Sequence, residues 1–509
     1  MKSSRETTGQ VWLDLMGTEG FKLKPFSLDP NRLAGKKITV MGLGRFGGGA
    51  GAARFFAQHG AKVVVTDLAE RQTLTESIQD LADLEKITFH LGEHWAEDFT
   101  GADAVVVNPA VPPNSPFLTL ANRSEVPLTA EMNIFFRLCP AKIIGVTGTN
   151  GKSTTTAMIG SILSAALKAG QGNFRQVFVG GNIGRSLLAE VDQIAEDDLV
   201  ALELSSFQLE ALEVEQMSPQ VAVWTNFSAN HLDRHKTIRA YRKAKENIYR
   251  FQGANDVLVY NTDDGGSEFL PLDRRIRSRR MSFSLDKSSA DAHVADGYLR
   301  VRYRDGNRVE KVLQLKDMPV RGEHNTANGL AAACVGAEFD LPPELIGQGL
   351  KAFRSLPHRL ELVATIGGVS YYDDSIATTP ESALVGLNSF DKPPIIILGG
   401  KDKGAKFDML LSACIHRSYG VICLGQVRET LLQKLLKLRG AAHEPYLRGV
   451  DSLEQAVKAA AGLAKPGQAV LLSPACASYD MFANFAHRGQ QFAEIVRALP
   501  SDKSAAEKL

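Results

Sequence analysis

Short apolar runs alternate with helix-period segments along most of the chain, and they fall into three successive clusters. In the first, the run 37–41 enters a glycine turn. A helix then carries Ala52, Ala53, Phe55 and Phe56 on its apolar side, Gly60 ends it, and a second run over 62–66 delivers Asp67. A third strand is expected over 104–107, before the turn Asn108-Pro109-Ala110-Val111. In the second cluster, a strand over 142–146 precedes another glycine turn and a helix on which Met158, Ile159, Ile162, Leu163, Ala166 and Leu167 share a face. Strands over 199–204, 221–226 and 256–260 follow, interleaved with a helix striped by Ile238, Tyr241, Ala244 and Ile248. In the third, runs over 369–372, 395–398, 421–424 and 469–472 alternate with helices. Strands that alternate with helices need crossover connections, so the pattern predicts an α/β protein of parallel, doubly wound sheets. A length of 509 residues calls for about three domains. The expected divisions are 36–130, 131–355 and 356–497.

Composition changes this picture little. The chain is 44% hydrophobic and 23% charged, and its 58 basic and 57 acidic residues leave a net charge of +1, which gives no electrostatic ground for nucleic acid or membrane partners. The basic cluster Arg274, Arg275, Arg277, Arg279 and Arg280 lacks aromatic stacking partners and reads as a solvated edge. No apolar run approaches the ~18 to 20 residues that span a bilayer, and residues 1–24 lack the apolar core of a signal peptide, so a cytoplasmic protein is expected. The cysteines at 139, 334, 414, 423 and 476 are scattered and odd in number, as buried thiols would be.

The chemistry starts at Gly145-Val146-Thr147-Gly148-Thr149-Asn150-Gly151-Lys152-Ser153-Thr154, which joins a strand to a helix. Glycines at 148 and 151 let backbone N–H groups point into one concavity, the helix adds the positive end of its dipole, Lys152 supplies a cation, and Ser153 offers a hydroxyl to Mg²⁺. The spacing is G-x-x-G-x-x-G-K-S rather than the strict G-x-x-x-x-G-K-[ST], and it predicts a P-loop ATPase-type central domain. Gly42-Leu43-Gly44-Arg45-Phe46-Gly47 with Asp67 matches the dinucleotide fingerprint of a Rossmann-like first domain, and the third cluster predicts a second Rossmann-like domain. Alone, the fingerprint fits a nicotinamide oxidoreductase. Beside an ATP loop it fits an enzyme acting on a nucleotide-linked substrate.

Glu203 ends the strand next to that loop, where a carboxylate binds Mg²⁺ or stands as an edge charge. His231 by itself reads as a polar loop residue. Lys245 sits on the apolar edge of its helix, where it either snorkels or, desolvated and neutral, can take up CO₂ as a carbamate.

The segments Thr147-Gly148-Thr149-Asn150-Gly151-Lys152-Ser153, Asn230-His231-Leu232-Asp233-Arg234 and Ser473-Pro474-Ala475-Cys476-Ala477-Ser478 together resemble the Mur ligase family, which includes the muramyl-peptide ligases and the folylpolyglutamate synthetases. The likeness runs over about 36–497. It implies an ATP-dependent ligase that joins D-glutamate to UDP-N-acetylmuramoyl-L-alanine through an acyl phosphate. By the same likeness Gly148, Thr149, Asn150, Gly151, Lys152, Ser153 and Thr154 would hold ATP phosphates, with Asn325 and Asn328 at the adenine. Arg359 would reach a phosphate when the third domain closes, and Asp374 the ribose. Ser153, Glu203, His231 and a carbamylated Lys245 would hold two magnesium ions, with Lys152, His231 and Lys245 catalytic. Gly42, Gly44, Arg45, Gly47 and Asp67 would face the UDP, Asn182 the muramyl-alanine end, and Thr378, Lys403, Ser478 and Phe485 the glutamate. Two features depart from the family: the lead of 1–35 is long, and Ile376 stands where many members carry lysine, which is expected to weaken glutamate binding unless Lys401 takes that place. A folylpolyglutamate synthetase would lack the separate first domain. An oxidoreductase would leave Lys152, Glu203 and Lys245 without a purpose, and a P-loop switch would explain Lys152 alone.

Overall fold

The computed structural model describes residues 23–25, 27, 29–44, 47–182, 186–304, 306, 308–401 and 404–500. Three sheets form, one from each apolar cluster. The first has five parallel strands in the spatial order Ile87–Leu91, Lys62–Asp67, Lys37–Met41, Ala104–Val107, Leu128–Thr129. Its order reverses between Lys37–Met41 and Ala104–Val107, so a crevice opens beyond the carboxyl ends of those two strands. The second sheet has nine strands, with Lys142–Thr147 between Val221–Trp224 and Leu199–Glu203 near one edge. The glycine turn after Lys142–Thr147 therefore emerges between the carboxyl ends of two neighbours. The third sheet has six strands, all parallel except Glu361–Ile366, which pairs antiparallel with Val369–Asp373.

The central strands are the ones read as apolar runs, because a parallel strand covered by helices on both faces has no polar side to show. Val221–Trp224 and Ile395–Gly399 are buried at every residue. Strands outside the expected set lie toward the edges: Ile87–Leu91, Leu128–Thr129, Val177–Gly181, Tyr446–Gly449, and the run from Arg279–Ser284 through Ala292–Ala295 and Tyr298–Arg302 to Val309–Gln314. That last run passes through the arginine cluster. It is not simply a solvated edge: Arg275 pairs with Asp273 and Glu246, and Arg279 with Glu338.

By packing, the chain forms two units, one with the first and second sheets and the other with the third. The first two sheets share one apolar core, in which Phe55 and Phe56 of helix Gly48–Gln58 lie with Leu188, Val191 and Val200. The seam expected near residue 130 is thus packed through. Among the described residues no helix is long and apolar enough to cross a membrane. The cysteines are free thiols, four of them buried.

Gly51 marks how tight this seam is, since a Cβ there would stand 2.5 Å from Ser186 Cβ. Gly51→Val should lower stability by ~1–3 kcal/mol through overpacking. Urea unfolding followed by tryptophan fluorescence measures it, and an unchanged midpoint would show that the 186 segment yields.

Candidate active site

The glycine turn expected to hold phosphate is built by strain that glycine relieves and by side chains that clamp it from outside. Gly148 has φ +153 and Gly151 φ +81, and a Cβ on Gly151 would overlap Asn328 Oδ1. Gly151 caps helix Lys152–Lys168, whose first-turn N–H groups face the turn. Asn226 holds the turn from the next strand: its carbonyl accepts from Thr149 N (2.9 Å), its Oδ1 from Asn150 N (2.9 Å), and its Nδ2 donates to Asn150 O (3.0 Å). Lys152 folds back to donate to Thr149 O (2.9 Å). Asn328 Oδ1 accepts from Thr155 Oγ1 (3.1 Å), which sets that asparagine against the turn.

Behind the turn lies Lys245, only 2% exposed, on helix Ile238–Arg250. It does not snorkel. Its Nζ donates to Gly148 O (2.7 Å) and Thr147 Oγ1 (3.2 Å) and lies 5.0 Å from the centroid of the Tyr241 ring. Burial, and then the nearby Lys152 charge, pull its pKa well below the ordinary lysine value, with Glu203 opposing. Glu203 is itself 2% exposed. Its Oε1 accepts from Asn182 Nδ2 (3.0 Å), while its Oε2 has no hydrogen-bond partner among the described residues. An unpartnered carboxylate oxygen buried beside a phosphate turn fits a hard cation such as Mg²⁺, which takes oxygen ligands. His231 is exposed at φ +53, at the start of helix Leu232–His235, with its ring edge-on to Phe207 (5.2 Å between centroids).

At the first-sheet crevice Gly42, Gly44 and Gly47 all have positive φ, and a Cβ on Gly42 would press on Asn108. Arg45 lies outside the described residues. Asp67 turns back onto the loop: Oδ2 accepts from Leu43 N (2.9 Å) and Gly44 N (3.3 Å), Oδ1 from Ala69 N (2.9 Å). Arg234, beside His231 in sequence, donates to Val111 O (2.8 Å) and so ties this crevice to the His231 segment.

In the second unit, Ser478 is 1% exposed and its hydroxyl has no hydrogen-bond partner among the described residues. Thr378 and Phe485 are half-buried. Ser375 Oγ, close to Thr378 in sequence, donates to Phe485 O (2.7 Å). Lys403 lies outside the described residues, and Lys401 is exposed, its backbone N donating to Ala477 O (2.8 Å). Asp374 Oδ2 accepts from Ser473 Oγ (2.7 Å) and Oδ1 from Leu360 N (3.2 Å), and burial raises its pKa to about 7. Arg359 Nε is buried without a hydrogen-bond partner among the described residues. Asn325 Nδ2 donates to Arg321 O (2.7 Å).

Sequence reasoning missed Arg488. It is 2% exposed, and its guanidinium donates to Ser375 O (2.8 Å), Ser375 Oγ (2.9 Å) and Cys476 O (3.1 Å), joining two of the loops expected around the amino acid. Burial lowers its pKa to about 10. The readable signal was its place on the apolar stripe with Phe492 and Val496, as with Lys245 on its own helix.

The chain matches the family models "Mur ligase MurD-like, N-terminal domain" over 36–130, "Mur ligase middle domain" over 146–336 and "Mur ligase, glutamate ligase domain" over 358–476. It is similar to the UDP-N-acetylmuramoylalanine–D-glutamate ligase of Roseiflexus sp. strain RS-1, with 40% identity covering 92% of this chain and 99% of the relative. The ligase of the same name from Acidobacterium capsulatum is 37% identical, covering 92% and 97%. Two solved structures share the fold: UDP-N-acetylmuramate-alanine ligase MurC of Thermotoga maritima (TM-score 0.60, 19% identity, 91% of this chain and 99% of that one) and MurF ligase of Thermotoga maritima in complex with ADP (TM-score 0.53, 16% identity, 97% and 99%).

One buried acid makes a pH test. Glu131 opens helix Glu131–Leu138, accepts from Ser186 Oγ (2.5 Å), and is raised by burial from 4.5 to about 7. Between those pH values the unfolded chain ionises while the folded one keeps the proton. Stability present below about pH 4.5 is therefore lost, at up to ~1.4 kcal/mol per pH unit, as pH climbs to about 7. Glu131→Gln keeps an acceptor for Ser186 and should flatten that decline. Parallel urea-unfolding curves for both proteins from pH 5 to 8 would refute the assignment.

Proposed function

The chain belongs to the Mur ligase family, and from that premise we propose that it is an ATP-dependent ligase of peptidoglycan precursor synthesis, adding D-glutamate to UDP-N-acetylmuramoyl-L-alanine. The γ-phosphoryl of ATP passes to the alanyl carboxylate, giving an acyl phosphate and ADP. The glutamate amine then attacks the acyl carbon, a tetrahedral intermediate forms, and phosphate leaves as the amide closes. The observation that carries this reading is the unpartnered Glu203 Oε2 beside Lys245, behind a turn of phosphate-binding form.

Each group has a definable task. The 148–154 turn and the helix amino terminus orient the ATP phosphates, and Lys152, released from Thr149 O, offsets charge on the transferring oxygens. Magnesium, when bound, neutralises phosphate charge, and Ser153, Glu203 and His231 are the residues that would hold it at two places. Lys245 Nζ, whose neutral form burial favours, adds to CO₂ with loss of one proton and becomes a carbamate, a further oxygen ligand in the group. The glycines at 42, 44 and 47 leave room for pyrophosphate, Asp67 meets the uridine, and Asn182 meets the muramyl-alanine end. In the second unit, Lys403, Thr378 and the unpartnered Ser478 hydroxyl receive the glutamate carboxylates beside Phe485. Asn325, Asn328, Arg359 and Asp374 complete the nucleotide contacts, and the protein works in the cytoplasm, where its UDP-linked substrate and ATP are found.

ADP release tests the whole reading. It should require both UDP-N-acetylmuramoyl-L-alanine and glutamate, prefer the D isomer, and fall by on the order of 100-fold or more in Lys152→Ala. ADP release without the muramyl substrate, or near-normal turnover by folded Lys152→Ala, sinks it.

Lys245→Ala should lose most activity and regain part of it with acetate or formate, which replace the missing carboxylate oxygen. Full activity without an additive rules out the carbamate.

A further inference from the structure

Of the residues just assigned to magnesium, Glu203, His231 and Lys245 lie on the end of strand Leu199–Glu203, the segment from His231, and helix Ile238–Arg250. One side chain lies against all three. His235 is buried, and its Nε2 is 3.0 Å from the hydroxyl of Ser206, three residues beyond Glu203. Its ring stacks on Phe207 (5.1 Å between centroids, 9° between planes) and leans on Tyr241 (5.3 Å). Phe207 in turn meets the His231 ring edge-on at 5.2 Å and the Arg234 guanidinium at 5.3 Å. Tyr241 lies under Lys245 Nζ.

His231 needs such a brace. Its segment is a single helical turn bounded by two left-handed residues, His231 at φ +53 and Lys236 at φ +65, which is backbone that non-glycine residues adopt only when their surroundings impose it. Within the turn, His235 N donates to His231 O (2.9 Å), so whatever fixes His235 also fixes the histidine four residues earlier.

We infer that His235 is a positioning residue, clamping the His231 segment to the Glu203 segment through Ser206 and Phe207 and so setting the arrangement in which both meet magnesium. The inference rests on the metal reading above and concerns how the ligands are held, not which they are. Groups one bond removed from a metal ligand tune affinity by ~10–100-fold when removed.

The test is Mn²⁺ titration by electron paramagnetic resonance, on the full chain with a non-hydrolysable ATP analogue, with thermal unfolding run in parallel. His235→Phe keeps the stack on Phe207 and removes the hydrogen bond. It should weaken Mn²⁺ binding at least ~10-fold while the unfolding midpoint moves little. Ser206→Ala deletes the same bond without touching the ring and should give the same loss, with the double variant no weaker than either single one. Wild-type Mn²⁺ affinity in Ser206→Ala or His235→Phe overturns the inference. Glu203→Gln separates the two levels: if it loses Mn²⁺ while the other variants do not, the clamp is wrong and the metal reading stands, and if it too binds Mn²⁺ normally, the metal reading falls as well.

Discussion

A lysine amine enclosed beneath the glycine turn at 148–151 is the constraint on which the proposed site depends. Lys245 donates to the carbonyl of Gly148, so the turn's floor and the helix that carries Lys245 are locked together. Removing an ammonium from water is expensive, and here the cost is raised by a second cation, Lys152, a short way off. Burial therefore shifts such a group toward its neutral amine, the form that reacts with CO₂, and the proposed carbamate uses that property directly.

The same logic runs in the opposite sense in the second unit. Arg488 stays charged, its pKa lowered only to about 10, and it spreads that charge over two backbone carbonyls and a hydroxyl instead of a carboxylate. Ser375 and Cys476 are thereby tied together within the loops that carry Thr378 and Ser478. A buried guanidinium joining those loops, with the Ser478 hydroxyl unpartnered among the described residues, suits an anionic guest, and an amino acid with two carboxylates is the guest proposed.

Much of this was legible in the chain. Buried parallel strands show themselves as apolar runs, and the turns carrying Gly42, Gly44, Gly47, Gly148 and Gly151 show themselves because glycine takes positive φ at the least cost. Edge strands escaped: Ile87–Leu91 is half-covered along most of its length and Leu128–Thr129 spans two residues, too little for a period to register. Site residues were legible where a motif carried them. Asn226 and His235 were not singled out, although they lie within or beside quoted segments, because their work is done across sequence gaps of 76 and 29 residues. The turn of Asp67 onto Leu43 and Gly44 is likewise a tertiary fact. A basic residue on an apolar helical stripe proved the most transferable sign, since Lys245 and Arg488 share it.

The apolar core common to the first two sheets bears on how such a gene can be recombined. Three homology segments invite three cassettes, yet Phe55 and Phe56 complete a surface contributed by Leu188 and Val191, and Ser186 is shaped to the missing side chain of Gly51. A chimera that exchanged the first segment alone would import half of an interior and leave the other half mismatched. Inheritance of this protein in parts is therefore governed by where its oil is continuous, and the first workable crossover lies beyond the second sheet.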